Sequence, residues 1–399
     1  MKTREVKLGE VANVKGGKRI PKGIGLINIP NGHPYIRVRD LNNKRLLELD
    51  NSYEYVDNET QKVISKYTVK TGDVVLSIVG TIGLVAIVGR TLDGANLTEN
   101  CAKLSSFHGV NRDFLYYYLR SDCGQQEIRC GTVGAVQAKL PIKNIQNIAI
   151  NLPDYTTQER IASLLLSIDR KIELNQKIND NLEQQAVTYF QELYINNANP
   201  MWQIGTISDL GTVVGGSTPS KTKPEYYTNN GIAWITPKDL SINKSKFISH
   251  GENDITDLGL KNSSATVMPK GTVLFSSRAP IGYIAIASNE VTTNQGFKSV
   301  VPYLEIGTAF VYFFLKHSLP VIESAASGST FKEISGSAMK NIPAIIPDRS
   351  TLDQFNSFCA PIFAQQKILE DQNYSLAMLR DSLLPKLMSG AIDIASIQL

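Results

Sequence analysis

Most of this chain is written twice, and that repeat constrains its architecture more than any single motif does. Leu8-Gly-Glu-Val and Gly16-Gly17 return as Ile207-Ser-Asp-Leu and Gly215-Gly216. Tyr35-Ile-Arg-Val-Arg-Asp40-Leu41 returns as Trp234-Ile-Thr-Pro-Lys-Asp239-Leu240, and Gly72-Asp-Val-Val-Leu-Ser77 as Gly271-Thr-Val-Leu-Phe-Ser276. All three pairs keep one spacing of 199 residues. Later matches slip by a few positions, as loops of unequal length require: Phe114–Leu119 answers Phe310–Leu315, and Leu152-Pro153-Asp154 answers Ile346-Pro347-Asp348. A chain of 399 residues exceeds one ordinary domain, so two copies of one domain are expected.

Each copy has two parts. The first, 1–155 and 198–349, reads as a mixed α/β globule, so the fold class is α+β. The runs Val74–Val79, Leu84–Val88 and Thr272–Phe275 are β-branched and bounded by glycines, as strands are, whereas Phe114–Leu119 reads as a buried helix. Gly80-Thr-Ile-Gly83 and Ala279-Pro-Ile-Gly282 keep only the last glycine, which fits a tight turn between strands. The second part, 156–197 and 350–399, is a long amphipathic helix. In the first copy Thr156 or Thr157 is placed to cap it, and it runs to about Leu193. Its seven-residue repeat sets Ile161, Ile168, Asn175, Leu182 and Tyr189 on one stripe, interleaved with Leu165, Ile172, Asn179, Ala186 and Leu193. The second copy carries Phe355, Ile362, Leu369, Leu376 and Leu383, and Pro361 is expected to kink that helix or move its start. The spacing suits an antiparallel coiled coil with pseudo-two-fold symmetry, and equally a plain dimerisation seam. Asn175 and Asn179, the latter matched by Asn373, interrupt the stripe and are read as fixing register.

Several function classes are disfavoured. No apolar stretch approaches the roughly 18 residues of a membrane span, and the first residues lack a signal peptide's apolar core, so a cytoplasmic protein with no membrane partner is expected. The four cysteines show no C-x-x-C spacing and none pairs with a histidine at ligand spacing, so no metal is expected. Gly215-Gly-Ser-Thr-Pro-Ser-Lys221-Thr222 imitates a phosphate-binding loop, but Ser220 stands where the second glycine belongs. Asn151-Leu-Pro-Asp-Tyr155 falls short of an adenine-methyltransferase motif, having one proline in the wrong place. With no acid/base pair or nucleophile triad in context, the chain reads as a binder without a catalytic residue or cofactor. A net charge of +4 permits an anionic polymer as partner without arguing for one.

Gln158-Glu-Arg-Ile161, Gly215-Gly-Ser-Thr-Pro-Ser-Lys, Ile232-Ala-Trp-Ile-Thr-Pro-Lys-Asp-Leu240, Ser276-Ser-Arg-Ala-Pro-Ile-Gly-Tyr-Ile-Ala-Ile286, Thr293-Asn-Gln-Gly-Phe-Lys298 and Leu379-Arg-Asp-Ser-Leu-Leu-Pro-Lys-Leu-Met-Ser-Gly390 occur in this order. Together with the duplication, they resemble the specificity subunits of type I restriction-modification systems over essentially the whole chain. The resemblance implies two target recognition domains, each reading one part of a split, asymmetric sequence in double-stranded DNA. It implies docking of two adenine-N6 methyltransferase subunits, to which two ATP-driven restriction subunits can be added. S-adenosylmethionine, ATP and magnesium would belong to those partners. The helices would set the spacer: four inserted residues lengthen a helix by about 6 Å, close to two base pairs at about 3.4 Å each. The alternative is a scaffold whose two globules bind proteins across a coiled-coil spacer, with no nucleic acid. A single-chain nuclease or methyltransferase would require the purified chain alone to modify DNA.

Comparing the copies separates shared scaffold from candidate readers. Asp40-Leu41 and Asp239-Leu240 match and belong to the scaffold. The polar residues around them differ: Arg37, Arg39, Asn42, Asn43, Lys44 and Arg45 in one copy, Lys238, Ser241, Asn243, Lys244 and Lys246 in the other. These are the candidates for base or phosphate contacts, since Arg and Lys suit guanine and Asn and Gln suit adenine. Arg278 and Lys298 are candidates for phosphates, as are Lys221 and Lys223, opposite Lys18, Arg19 and Lys22. For any of these, a solvated polar surface is the competing reading.

Overall fold

The computed structural model describes residues 3–41, 44–328 and 332–394. The chain divides into two compact units, Met1–Ile172 with Ser375–Leu399, and Glu173–Tyr374. Each unit therefore contains one globule, the adjoining part of its own long helix and a part of the other.

In the first unit a five-stranded sheet has the order Asn13–Gly16, Cys101–Ser105, Val74–Ser77, Val85–Val88, Leu46–Leu47. Its pairs are antiparallel except the last, where Leu46 lies parallel to Ile87. Both faces of this sheet are covered, which is why Val74–Ser77 and Val85–Val88 are buried throughout and carry apolar runs instead of alternating. Val74, Leu76, Val85 and Ile87 point into one core, Val75, Ala86 and Val88 into another. A second sheet, Glu54–Tyr55, Pro34–Ile36, Asn96–Leu97, has three short strands. The aromatic run forms a helix, Arg112–Arg120, as its sequence indicates. Asn111 accepts hydrogen bonds from the amides of Asp113 and Phe114, both at 3.0 Å, and every residue of Phe114–Leu119 is buried.

The second unit repeats this plan. Its five strands are Gly211–Gly215, Lys298–Pro302, Val273–Ser277, Ile281–Ala287 and Phe247–Ile248, and Thr308–His317 is its buried aromatic helix. The smaller sheet gains a fourth strand, in the order Tyr227–Thr228, Asn253–Ile255, Ile232–Ile235, Thr292–Thr293. Gly83 and Gly282 make the expected turns, at φ of 94° and 95°.

The long helices span Tyr155–Gln191, continued by a π-turn at Glu192–Asn196, and Arg349–Met388. Two expectations are corrected here. The first helix is capped by Asp154 rather than by Thr156 or Thr157: its carboxylate accepts from the Thr157 amide at 2.9 Å and hydroxyl at 2.6 Å. Asp348 does the same for Thr351 in the second helix. A carboxylate at this position both fills an orphan amide and meets the positive end of the helix dipole. Pro361 does not set the start of the second helix, which begins a dozen residues earlier and runs through it. Pro361 and Ser357 lie on the exposed side, so the carbonyl that loses its partner faces water, while Phe355, Cys359 and Ile362 are buried.

The apolar stripe is spent largely on the globules. In the first unit Ile161 and Leu165 join the globule core, to which the end of the second helix adds Leu387 and Met388, with Leu383 packed against it. In the second unit Phe355 and Ile362 join a core completed by Ala186, Phe190 and Tyr194, with Leu182 against it. Ile168 and Leu369 are buried, whereas Ile172 and Leu376 are half-buried. The helix segments of the second unit run antiparallel: Asn175 meets Asn373, the Asn179 carbonyl accepts from Gln366, and Tyr189 stacks on Phe355.

Candidate nucleic-acid interface

In the second unit the strand Ile232–Ile235 runs into the short helix Pro237–Ile242 through a capping box. Asp239 accepts from the Thr236 amide at 2.7 Å and hydroxyl at 2.6 Å, and from the Glu252 amide at 2.8 Å. The equivalent Asp40 accepts from the Arg37 amide at 2.7 Å. Burial raises the Asp40 pKa, against the lowering effect of that amide and of Arg39 and Arg37. Both aspartates thus hold the turn that follows the strand.

Beside this turn lies an open cleft of about 380 Å³, to which Thr218, Lys221, Trp234, Lys238, Asn253 and Gln295 contribute. It brings together two sequence candidates, Lys221 and Lys238. Lys238 pairs with Glu252 at 2.6 Å on the rim. Its floor depends on Gly216, where a Cβ would sit 2.0 Å from the Asn294 carbonyl oxygen. Only glycine lets the two backbones approach this closely. The Trp234 indole donates to the Ser217 carbonyl at 3.0 Å, and the Thr218 hydroxyl donates to Gln295 Oε1.

The first unit has the same frame with different side chains. The Tyr35 hydroxyl donates to the Lys18 carbonyl at 2.8 Å, and a Cβ on Gly17 would sit 2.1 Å from the Thr98 carbonyl oxygen. Arg37 and Arg39 converge on Glu54, and Arg19 pairs with Glu99 at 2.7 Å. Burial, and then the neighbouring Arg39, lowers the Arg37 pKa.

The remaining candidates are spread wider. Lys44 pairs with Asp50 at 2.7 Å, and Arg45 is half-buried at the head of the strand Leu46–Leu47. Asn42 and Asn43 lie outside the described residues. Lys223 sits over the Tyr226 ring and Lys244 over the Tyr283 ring, 5.2 and 4.3 Å from the centroids. Ser241 donates to the Lys238 carbonyl, and Asn243 accepts from the Ser245 amide, so both stabilise their own turn. Arg278 and Lys298 share Glu333, at 3.3 and 3.7 Å. Lys246 is corrected outright. It is buried, its ammonium bonded to Glu183 and Gln366 and lying 4.2 Å from the Phe363 ring centroid, so it is a core ion and not a surface contact. Burial is the largest single effect on the Glu183 carboxyl and raises its pKa, but Lys246 and Lys316 together outweigh it and leave the pKa lowered.

Sequence reasoning did not select Thr218, Asn253 and Gln295, nor Glu54 and Glu99. Thr293-Asn-Gln-Gly-Phe-Lys298 was visible as a motif, but its place beside Gly216 depends on strand pairing. Among the described residues no group of three or more His, Cys, Asp or Glu is placed to hold a metal, and no helix is long and apolar enough to cross a membrane.

Residues 2–184 and 199–371 each match the family profile described as the type I restriction modification DNA specificity domain. The MjaIX specificity subunit of Methanocaldococcus jannaschii, a type I restriction enzyme subunit, is 42% identical over 162 residues. That alignment covers 40% of this chain and only 37% of the relative. The HindI specificity subunit of Haemophilus influenzae is 23% identical over 67% of this chain and 73% of its own. In fold, the chain is similar to the type I S subunit from M. genitalium, with a TM-score of 0.57, 16% identity, and coverage of 97% and 96% of the two chains.

Proposed function

We propose that this chain, which belongs to the type I restriction modification DNA specificity family, is the subunit that selects the DNA sequence for a methyltransferase and restriction complex. Each unit reads one half of a split, asymmetric target in double-stranded DNA, and the chain performs no chemistry itself. Two adenine-N6 methyltransferase subunits dock on it, and two restriction subunits join that assembly. S-adenosylmethionine, ATP and magnesium serve those partners, and the whole acts in the cytoplasm. The linear domain plan has recognition domains at 1–155 and 198–349 and helices at 156–197 and 350–399. The compact units describe how they fold.

One observation carries this reading. Two copies of one backbone frame, fixed by Gly17 and Gly216 and by Asp40 and Asp239, present different polar side chains, which in the second unit border an open cleft. That is what a protein needs to read two different half-sites with one fold, since base edges are distinguished by donor and acceptor pattern. Arg278, Lys298, Lys221 and Lys223 then serve phosphates, which position without specifying.

The test is single-molecule sequencing of host DNA for N6-methyladenine, with the gene intact and deleted. A split motif that disappears on deletion supports the reading. No gene-dependent motif, with the partner methyltransferase expressed, would favour a protein scaffold instead.

A further inference from the structure

Backbone hydrogen bonds place the frames of the two units in register. The Lys18 amide donates to the Leu97 carbonyl at 2.8 Å, and the Ser217 amide donates to the Thr293 carbonyl at 2.9 Å. The Thr98 amide donates to Ile36 at 3.1 Å, and the Asn294 amide donates to Ile235 at 3.0 Å. Tyr35 lies opposite Glu54 across its strand pair, and Trp234 lies opposite Asn253 across the equivalent pair. Three positions are thereby matched: Arg19 with Thr218, Glu54 with Asn253, and Glu99 with Gln295.

At these positions the frame is constant and the chemistry changes completely. The first unit holds a guanidinium and two carboxylates, with Arg37 and Arg39 drawn to one of them. The second unit holds a hydroxyl and two carboxamides, with the hydroxyl bonded to Gln295 Oε1. Packing does not dictate the difference: Arg19, Asn253 and Gln295 are exposed, and Glu54, Glu99 and Thr218 are half-buried. Solvent-accessible side chains that differ over a shared backbone frame are where selection among ligands acts.

We propose that these three matched positions read the bases, and that they assign a different base-pair class to each half-site. Carboxamides present a donor and an acceptor side by side, which matches adenine N7 and N6 in the major groove. Asn253 and Gln295 therefore read an A·T pair, with Thr218 orienting Gln295. A guanidinium matches guanine O6 and N7, and a carboxylate accepts from cytosine N4. Arg19, with Glu99 and Glu54, therefore reads a G·C pair. Lys221 and Lys238 at the rim hold the adjoining phosphates.

This inference rests on the DNA-reading function, and one experiment separates the two. Cells carrying the partner methyltransferase are sequenced for N6-methyladenine with wild-type, Gln295→Ala, Asn253→Ala and Arg19→Ala chains. With Gln295→Ala or Asn253→Ala, preference at an A·T position in one half-site falls by about ten- to a hundred-fold while the other half-site stays strict. With Arg19→Ala, the loss falls on a G·C position of the opposite half-site. An intact wild-type motif whose two halves are unchanged in every variant overturns the inference and leaves the function standing. So does equal relaxation of both halves. A wild-type chain that directs no motif overturns both. If Gln295→Ala fails to fold, shown by a lost melting transition, Gln295→Glu installs the first unit's group and is read in the same way.

Discussion

Asn175 donates a hydrogen bond to Asn373 across the two long helices, at 2.9 Å, from a site with no exposure to solvent. A weaker bond reaches Gln372 at 3.3 Å, while Asn175 Oδ1 has no partner among the described residues. This arrangement specifies register at a cost in stability, because a buried amide is left half satisfied. The double variant Asn175→Leu with Asn373→Leu is therefore expected to be more stable by about 1–2 kcal/mol. Thermal melting of the purified chain checks this. A lower melting temperature would show that the pair contributes more to stability than to register.

Asp169 is held by two donors in the first unit, the Tyr117 hydroxyl at 2.6 Å and Arg380 at 2.8 Å. Both acid and arginine are largely buried. Arg380→Met should cost about 3 kcal/mol, since it leaves a buried carboxylate without its cation. Tyr117→Phe should cost about 2 kcal/mol, the usual loss for a hydrogen bond to a charged group. Chemical denaturation of both variants and of their combination measures the coupling.

Glu183 gives the second unit a pH dependence in acid. Its folded pKa lies below the ordinary 4.5, with burial opposing and Lys246 and Lys316 prevailing. Its stabilisation is present above 4.5 and is lost as pH falls through the lower folded value. Melting temperature should therefore drop as the solution is acidified below pH 4.5. In Glu183→Gln that component should be absent, and the neutral-pH stability should be lower by about 3 kcal/mol, because Lys246 stays buried without its carboxylate partner.

Gly216→Ala tests the cleft floor without touching a candidate reader. The added Cβ would lie 2.0 Å from the Asn294 carbonyl and 2.4 Å from that of Thr293, and backbone cannot yield as a side chain can. A loss of about 2–3 kcal/mol is expected in chemical denaturation. A variant as stable as wild type would contradict the close approach.

The cysteines divide cleanly. Cys123 and Cys130 are exposed, whereas Cys101 and Cys359 are buried. Burial pushes the Cys359 thiol up to about 12 and raises that of Cys101 as well. An alkylating reagent should label Cys123 and Cys130 in the native chain and all four only after denaturation, as mass spectrometry would show.

The duplication, the buried strands and the buried aromatic helices were legible in the sequence, because each rests on local periodicity or on repetition within the chain. Helix capping was less so: the sequence pointed to Thr156 or Thr157, and only geometry shows that Asp154 reaches the orphan amide. Lys246 was misjudged for a related reason. A lysine in a polar stretch looks exposed until Glu183 and Gln366, distant in sequence, are found around its ammonium.

By itself the sequence determined that one domain plan would be built twice, that long amphipathic helices would follow each copy, and which positions the copies share. Tertiary structure alone decided which side chains meet. Gln295 reaches Thr218 only because Gly216 lets two backbone segments approach, and a core is complete only when Leu387 or Phe190 arrives from the other copy's helix. Periodicity is a property of neighbours along the chain. Such contacts join residues far apart in it, and no local pattern encodes them.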